Sequence, residues 1–111
     1  MLAREHRLRR SADIARVLRH GRRKHARHFV LRWSRNRVGQ SRCTVIVSKK
    51  YDRRAVVRNR ARRRVLEVIR LEYPRIPVGF DILITVQSDI SALTPAELKS
   101  EIVQLFRLIE V

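Results

Sequence analysis

Cysteine occurs once, at position 43, so the chain can close no internal disulfide. No uninterrupted apolar run approaches the roughly 20 residues that a membrane-spanning helix needs. Nor does a charged segment followed by an apolar one open the chain, as in a secretory signal. These absences predict a reducing, cytoplasmic setting with no membrane partner. Linkers and repeats are missing too, the three glycines and three prolines being spread over 111 residues. The expectation is one domain over residues 1–111, with residues 1–10 ("MLAREHRLRR") as a mobile basic arm that a phosphate backbone can order. The scarcest resource is negative charge: ten Asp and Glu stand against 27 Lys and Arg, a formal net charge of +17. Hydrophobic residues still make up 44% of the chain, enough to fold. A basic body that folds needs a polyanionic partner.

The imbalance is local. Residues 1–75 hold 25 of the 27 basic side chains and five of the ten acids, so the anion-facing surface comes mainly from the first two thirds. Periodicity then places the elements. Ser11 is a candidate N-cap for a short helix with Ile14, Val17 and Leu18 as its buried stripe, and Gly21 follows where a left-handed C-terminal cap is wanted. "HFVLRW" (28–33) and "CTVIVS" (43–48) alternate as strands around the polar turn "SRNRVGQS". Beyond Lys49 and Lys50 the period becomes helical, with Val57, Ala61, Val65 and Val68 on one side and Ile69 beside them, until "YPRIPVG" stops it. "FDILITVQ" (80–87) is a buried strand. Thr94, Pro95 and Glu97 then make a capping box for a last helix that buries Leu98, Ile102, Leu105 and Ile109. The predicted order is helix, strand, strand, helix, strand, helix: an α+β fold in which helices cover a small central sheet.

The segment "RRAVVRNRARRR" (53–64) holds seven arginines and no acid. On a helical wheel it is the first half of the long helix, and the face opposite the apolar stripe carries Asn59, Arg63 and Arg70. Arg60 and Glu67 lie on one shoulder, Arg58 and Arg62 on the other. Solvated helices mix signs at i,i+4 spacing, and here only Glu67 offers such relief. Cations near a helix N-terminus also oppose its dipole, at about 0.3–1 kcal/mol each at low salt. An external anion offsets both effects, and phosphate does so through free backbone N–H groups and through guanidinium forks. No helix-turn-helix pair precedes the segment, which favours structured RNA over DNA.

At this point the residues carry a resemblance. "KKYDRRAVVRNRARRRVLEVIR" resembles the signature of the bacterial ribonuclease P protein component, a Lys-Lys turn followed by an Arg-Asn-Arg helix. "HRLRRSADIARVLRHGRRKHARHFVLRW", "SRCTVIVSKK" and "VGFDILI" extend the likeness over about residues 5–108. The resemblance implies an α/β sandwich with a left-handed βαβ crossover. It implies a protein that binds the catalytic RNA of ribonuclease P and the 5′ leader of precursor tRNA, as a monomer in a 1:1 complex. The RNA, using Mg2+ that it binds itself, would then cleave at the mature tRNA 5′ end, with no small-molecule substrate and no catalytic group on the protein. Arg58, Asn59, Arg60, Arg62 and Arg63 match the Arg-Asn-Arg motif, and Lys49, Lys50, Arg53 and Arg54 extend that RNA-binding surface. The implied leader cleft, between the first helix and the sheet, maps to Ile14, Leu18, Phe29 and Arg32. Phenylalanines usual in the family are replaced here by Ile14 and Leu18, and an aromatic by Arg32, which removes stacking contacts worth roughly 1–3 kcal/mol each. Arg32 can instead stack its guanidinium plane or pair a phosphate.

Other readings compete. A ribosomal or other structural RNA-binding protein, or a basic DNA-binding module, would carry similar charge. Ile14, Leu18 and Phe29 fit core packing as well as a cleft. His20, His25 and His28 lack a second paired ligand motif for zinc. Asp81 is the acid most tempting as a catalyst, yet no paired carboxylates accompany it for a two-metal nuclease site. Cys43, in an apolar strand, is expected to be an inert buried thiol.

Overall fold

A computed structural model describes residues 2–109, so the first residue of the expected arm lies outside it. The chain runs α1 (Ser11–His20), β1 (Arg22–His25), β2 (Phe29–Arg35), β3 (Arg42–Val47), α2 (Ala55–Glu72), β4 (Phe80–Val86) and α3 (Pro95–Leu108). The strands form one sheet in the order β1-β2-β4-β3. β2 is antiparallel to both neighbours, and β3 is parallel to β4. Since α2 joins two parallel adjacent strands, it is the crossover of a βαβ unit.

Strand alternation sorts the sheet into two faces. Phe29, Leu31 and Trp33 of β2, Cys43 and Val45 of β3, and Phe80, Ile82, Ile84 and Val86 of β4 point one way. There they pack against Ala61, Val65 and Ile69 of α2 and Leu98, Ile102, Leu105 and Phe106 of α3. The opposite face carries a small second cluster, Leu83 with Val17 and Leu8, against which Ile14 packs. The molecule is thus three layers: α1, the sheet, then α2 with α3. The α+β arrangement expected from periodicity is the one observed.

Several local expectations need correction. β1 ("RRKH") has no apolar residue and gives no strand signal; it exists because Arg22–His25 pairs with Val30–Trp33. Ser11 is the first helical residue, not the cap: Arg10 takes the cap position with extended dihedrals and no side chain capping the helix. Gly21 is extended, at φ −69°, not left-handed. Its need for glycine is steric, because a Cβ there would clash with the Val17 carbonyl oxygen and lie 3.0 Å from that of Trp33. On α1 only Val17 is buried, and Leu18 is 50% exposed. On α2 the buried stripe is rotated toward Ile69, leaving Val57 and Val68 half-buried.

The α3 capping box forms as expected. Glu97 N donates to Thr94 Oγ1 at 3.1 Å and Thr94 N to Glu97 Oε1 at 2.9 Å, and hydrogen bonding from Thr94, its backbone N–H foremost, holds the Glu97 carboxyl below its ordinary value. Residues 2–8 lie along the open edge of β3: Leu8 N donates to Cys43 O at 2.9 Å, Leu2 and Leu8 are buried, and the His6 ring stacks on Tyr73 with centroids 3.7 Å apart. This segment covers a sheet edge that would otherwise expose unpaired backbone groups.

Candidate nucleic-acid interface

The cations of α2 divide by what they touch. Arg64, the last of the run, turns inward, donating to the carbonyls of Ile90 at 2.8 Å and Leu93 at 2.7 Å; it fastens the β4–α3 loop and is not part of the outward face. Arg58 is half-buried and folds back, donating from Nη1 to the carbonyls of Asp52 at 3.0 Å and Arg53 at 2.7 Å. Arg54 is exposed but clasped by Asp52, whose Oδ1 accepts from the Arg54 backbone N–H at 2.8 Å and whose Oδ2 accepts from Nη2 at 3.0 Å. Those bonds, the side-chain one foremost, hold the Asp52 carboxyl down at about 2 and raise the Arg54 guanidinium. What remains is Lys49, Lys50, Arg53, Asn59, Arg60, Arg62 and Arg63, all exposed, with no side-chain partner among the described residues.

The start of α2 is open as well. No side chain caps it and its first turn has no acid, so the first-turn N–H groups and the helix dipole meet Lys49, Lys50 and Arg53 at the same end. An anion there would satisfy both the backbone and the side chains. Farther along, Glu67 closes on Arg70 with Oε2 3.1 Å from Nε, which lowers the Glu67 carboxyl and ends the unrelieved cationic run.

A shallow groove lined by Arg58, Asn59 and Arg62 of α2 and by Val45, Ile46 and Val47 of β3 joins this surface to the other face of the sheet. Ile46 is the hinge of that continuity: it is 36% exposed, and its alternation puts it on the α1 side. Of the four residues expected to line a cleft, Ile14 and Leu18 lie on the helix covering this side, and Arg32 lies on the sheet opposite Leu83. Phe29 does not join them. It is fully buried, on the α2/α3 face, within the main core. Its two-residue alternation with Leu31 and Trp33 fixes this, and only the register could have shown which way that stripe points.

Two further acids and one thiol have structural explanations. Asp81, 1% exposed, receives Arg42 Nε and Nη2, each at 2.8 Å, and Asn36 Nδ2 at 2.9 Å. Arg42 Nη1 also lies 3.4 Å from Asp13 Oδ2 on α1, so this guanidinium, raised mainly by its bond to Asp81, ties the first helix to the sheet. Burial pushes the Cys43 thiol up to about 12, which leaves it inert at neutral pH.

The family model described as Ribonuclease P matches residues 2–110. The chain belongs to the ribonuclease P protein family. A ribonuclease P protein component from Pelotomaculum thermopropionicum is 34% identical over 104 residues, which are 94% of this chain and 92% of the relative. Another from Roseiflexus castenholzii is 44% identical over 87 residues, 78% of this chain and 70% of the relative. The solved ribonuclease P protein of Thermotoga maritima superposes with a TM-score of 0.85 at 26% identity, covering 95% of this chain and 98% of that one. Within the ribonuclease P protein family, then, this member keeps the layered fold and carries a cluster of exposed cations at the start and roof of α2. The residues that sequence reasoning missed are Arg42, whose role depends on two partners distant in sequence, and the basic edge strand β1, whose facing depends on pairing with β2.

Proposed function

We propose that this chain is the protein subunit of a ribonuclease P ribonucleoprotein that removes the 5′ leader from precursor tRNA. The observation that carries the reading is the outward face of α2. Arg60, Arg62 and Arg63 stand free beside Asn59, next to an uncapped helix start flanked by Lys49, Lys50 and Arg53, on a chain of this family. Those side chains bind the ribonuclease P RNA through its phosphates. Arg58 and Arg54, held by loop groups, shape the turn that presents them. The precursor leader lies on the open sheet face beside α1, where Ile14, Leu18 and Arg32 meet it and Phe29 supports the strand from below.

The reacting groups belong to the RNA. Supporting this, Asp81, the acid most suggestive of a catalyst, is engaged by Arg42 and Asn36. Among the described residues no three His, Cys, Asp or Glu side chains gather as metal ligands, and the exposed face is cationic. In this reading the Mg2+ that such cleavage needs is bound by the RNA, and the protein contributes affinity and position. One protein per RNA, acting in the cytoplasm, completes the proposal; no helix among the described residues is long and apolar enough to cross a membrane.

Competition between a ribonuclease P RNA and a ribosomal RNA fragment of equal length, at matched salt, tests the partner. Clear preference for the former is expected. Equal affinity would reduce the chain to a general RNA binder.

A further inference from the structure

The open sheet face holds a pairing that folding alone does not favour. Arg23 of β1 stands directly opposite Arg32 of β2, and both point to the α1 side, since Arg32 is itself opposite Leu83 of the α1 cluster. Opposed residues on antiparallel strands have Cβ atoms about 4.5–5.5 Å apart, and like charges so placed repel. No acid among the described residues relieves this pair. Arg23 is exposed and without a partner among the described residues, and Arg32 makes only a 3.4 Å bond to the neutral Thr85 Oγ1. The carboxylates of α1 and β4 on this side, Asp13 and Asp81, are held by Arg42.

The sheet presents no Phe, Tyr or Trp on the same face, where the exposed His25 of β1 supplies an imidazole ring beside Arg23. Phe29, Trp33 and Phe80, the aromatics of β2 and β4, all belong to the core on the other side. A base laid across β4 and β3 finds Thr85, Thr44 and Ile46, none of which stacks as an aromatic ring does. The two guanidinium groups suit the backbone of a strand more than its bases.

We propose that Arg23 and Arg32 form a two-guanidinium seat for one phosphodiester of a single-stranded RNA crossing the open sheet face, with Thr85 steadying Arg32. Two planar forks converging from adjacent strands match the several oxygens of one phosphate. The seat rests on the reading that this face receives the precursor leader. It adds that the leader is held by charge at a fixed position and without regard to base. The free protein carries the repulsion and the bound phosphate removes it, so relieving the repulsion by mutation should stabilise the free protein while weakening binding.

The test uses the particle reconstituted from ribonuclease P RNA and the full chain, with precursor tRNAs whose leader phosphates are replaced one at a time by neutral methylphosphonate. One position should weaken binding about tenfold, as loss of a single charge-assisted contact does. Arg23→Gln and Arg32→Gln should each weaken binding of the unmodified leader by a similar factor and become insensitive to methylphosphonate at that position. Free Arg23→Gln protein should melt at or above the wild-type temperature, which separates lost contact from lost fold. If the leader strengthens binding but no single phosphate matters, the seat is wrong and the leader reading stands. Abasic leader nucleotides that weaken binding where methylphosphonates do not would overturn the seat in favour of guanidinium stacking. A leader that adds nothing to affinity removes the leader reading, and the seat with it.

Discussion

Seven arginines lie between residues 53 and 64, and each one's role is set by its neighbours more than by its charge. Arg64 satisfies two loop carbonyls, so Arg64→Ala should destabilise the fold by about 1–3 kcal/mol, the cost of leaving buried acceptors unmet. Arg60→Ala with Arg63→Ala should behave oppositely. Stability should stay within about 0.5 kcal/mol per site, as for exposed positions without partners. The slope of log affinity for RNA against log salt should become shallower by roughly 1.4–1.8, for two phosphate contacts at 0.7–0.9 each. Thermal melts and salt titrations of the two variants distinguish the roles directly. Phe29 supplies a third contrast: as a core residue, Phe29→Ala should cost about 3–5 kcal/mol in denaturant unfolding, whereas a cleft-lining residue would lose leader affinity at nearly unchanged stability. Asp52 gives a pH prediction. Its carboxyl is depressed from 3.8 to about 2, so the order it gives the Lys49–Arg54 turn is complete above the unfolded value and is lost as pH falls through the folded one. A titration of the carboxyl carbon should find its midpoint near 2, and a midpoint at 3.8 would mean that the Arg54 clasp is absent in solution.

The elements differ in how visible they are before folding. α2, α3, β3 and β4 are legible in the sequence because each carries an apolar period, and the Thr94/Glu97 box marks where α3 begins. Thr94→Ala should accordingly lower stability by about 1 kcal/mol. β1 is illegible for a physical reason: a strand of four basic residues has no periodicity of its own and is templated by β2. The facing of Phe29 was hidden for a related reason. Alternation shows that Phe29, Leu31 and Trp33 share a side, but not whether α1 or α2 covers it. The α1 tether is hidden too, because Asp13, Arg42 and Asp81 meet only after the sheet and helix assemble. Arg42→Met, which leaves Asp81 buried and uncompensated, should cost about 3–5 kcal/mol, and removing the acid as well should recover much of that loss. The Arg-Asn-Arg face of the candidate site was readable, since wheel position alone puts Asn59 and Arg63 outward; the inward turn of Arg58 was not, because it depends on loop carbonyls.

At the scale of the whole molecule, function follows from where charge is left unpaired. The body measures 36 × 27 × 26 Å, and an 18-residue helix is about 27 Å long, so α2 crosses the full width of the protein, with its unrelieved cationic face on the first half. The groove at β3 borders that surface, and under the proposed function it would let one chain touch the ribonuclease P RNA and the precursor leader together. If about six phosphates are neutralised, log affinity should fall against log salt with a slope near −4 to −5. Cleavage tests the central claim most directly. With ribonuclease P RNA and precursor tRNA at near-physiological magnesium, adding the wild-type chain should raise the rate of 5′ processing well above that of the RNA alone, and the Arg60→Ala, Arg63→Ala protein should require more protein to do so. A chain that binds the ribonuclease P RNA yet leaves the cleavage rate unchanged would contradict the account.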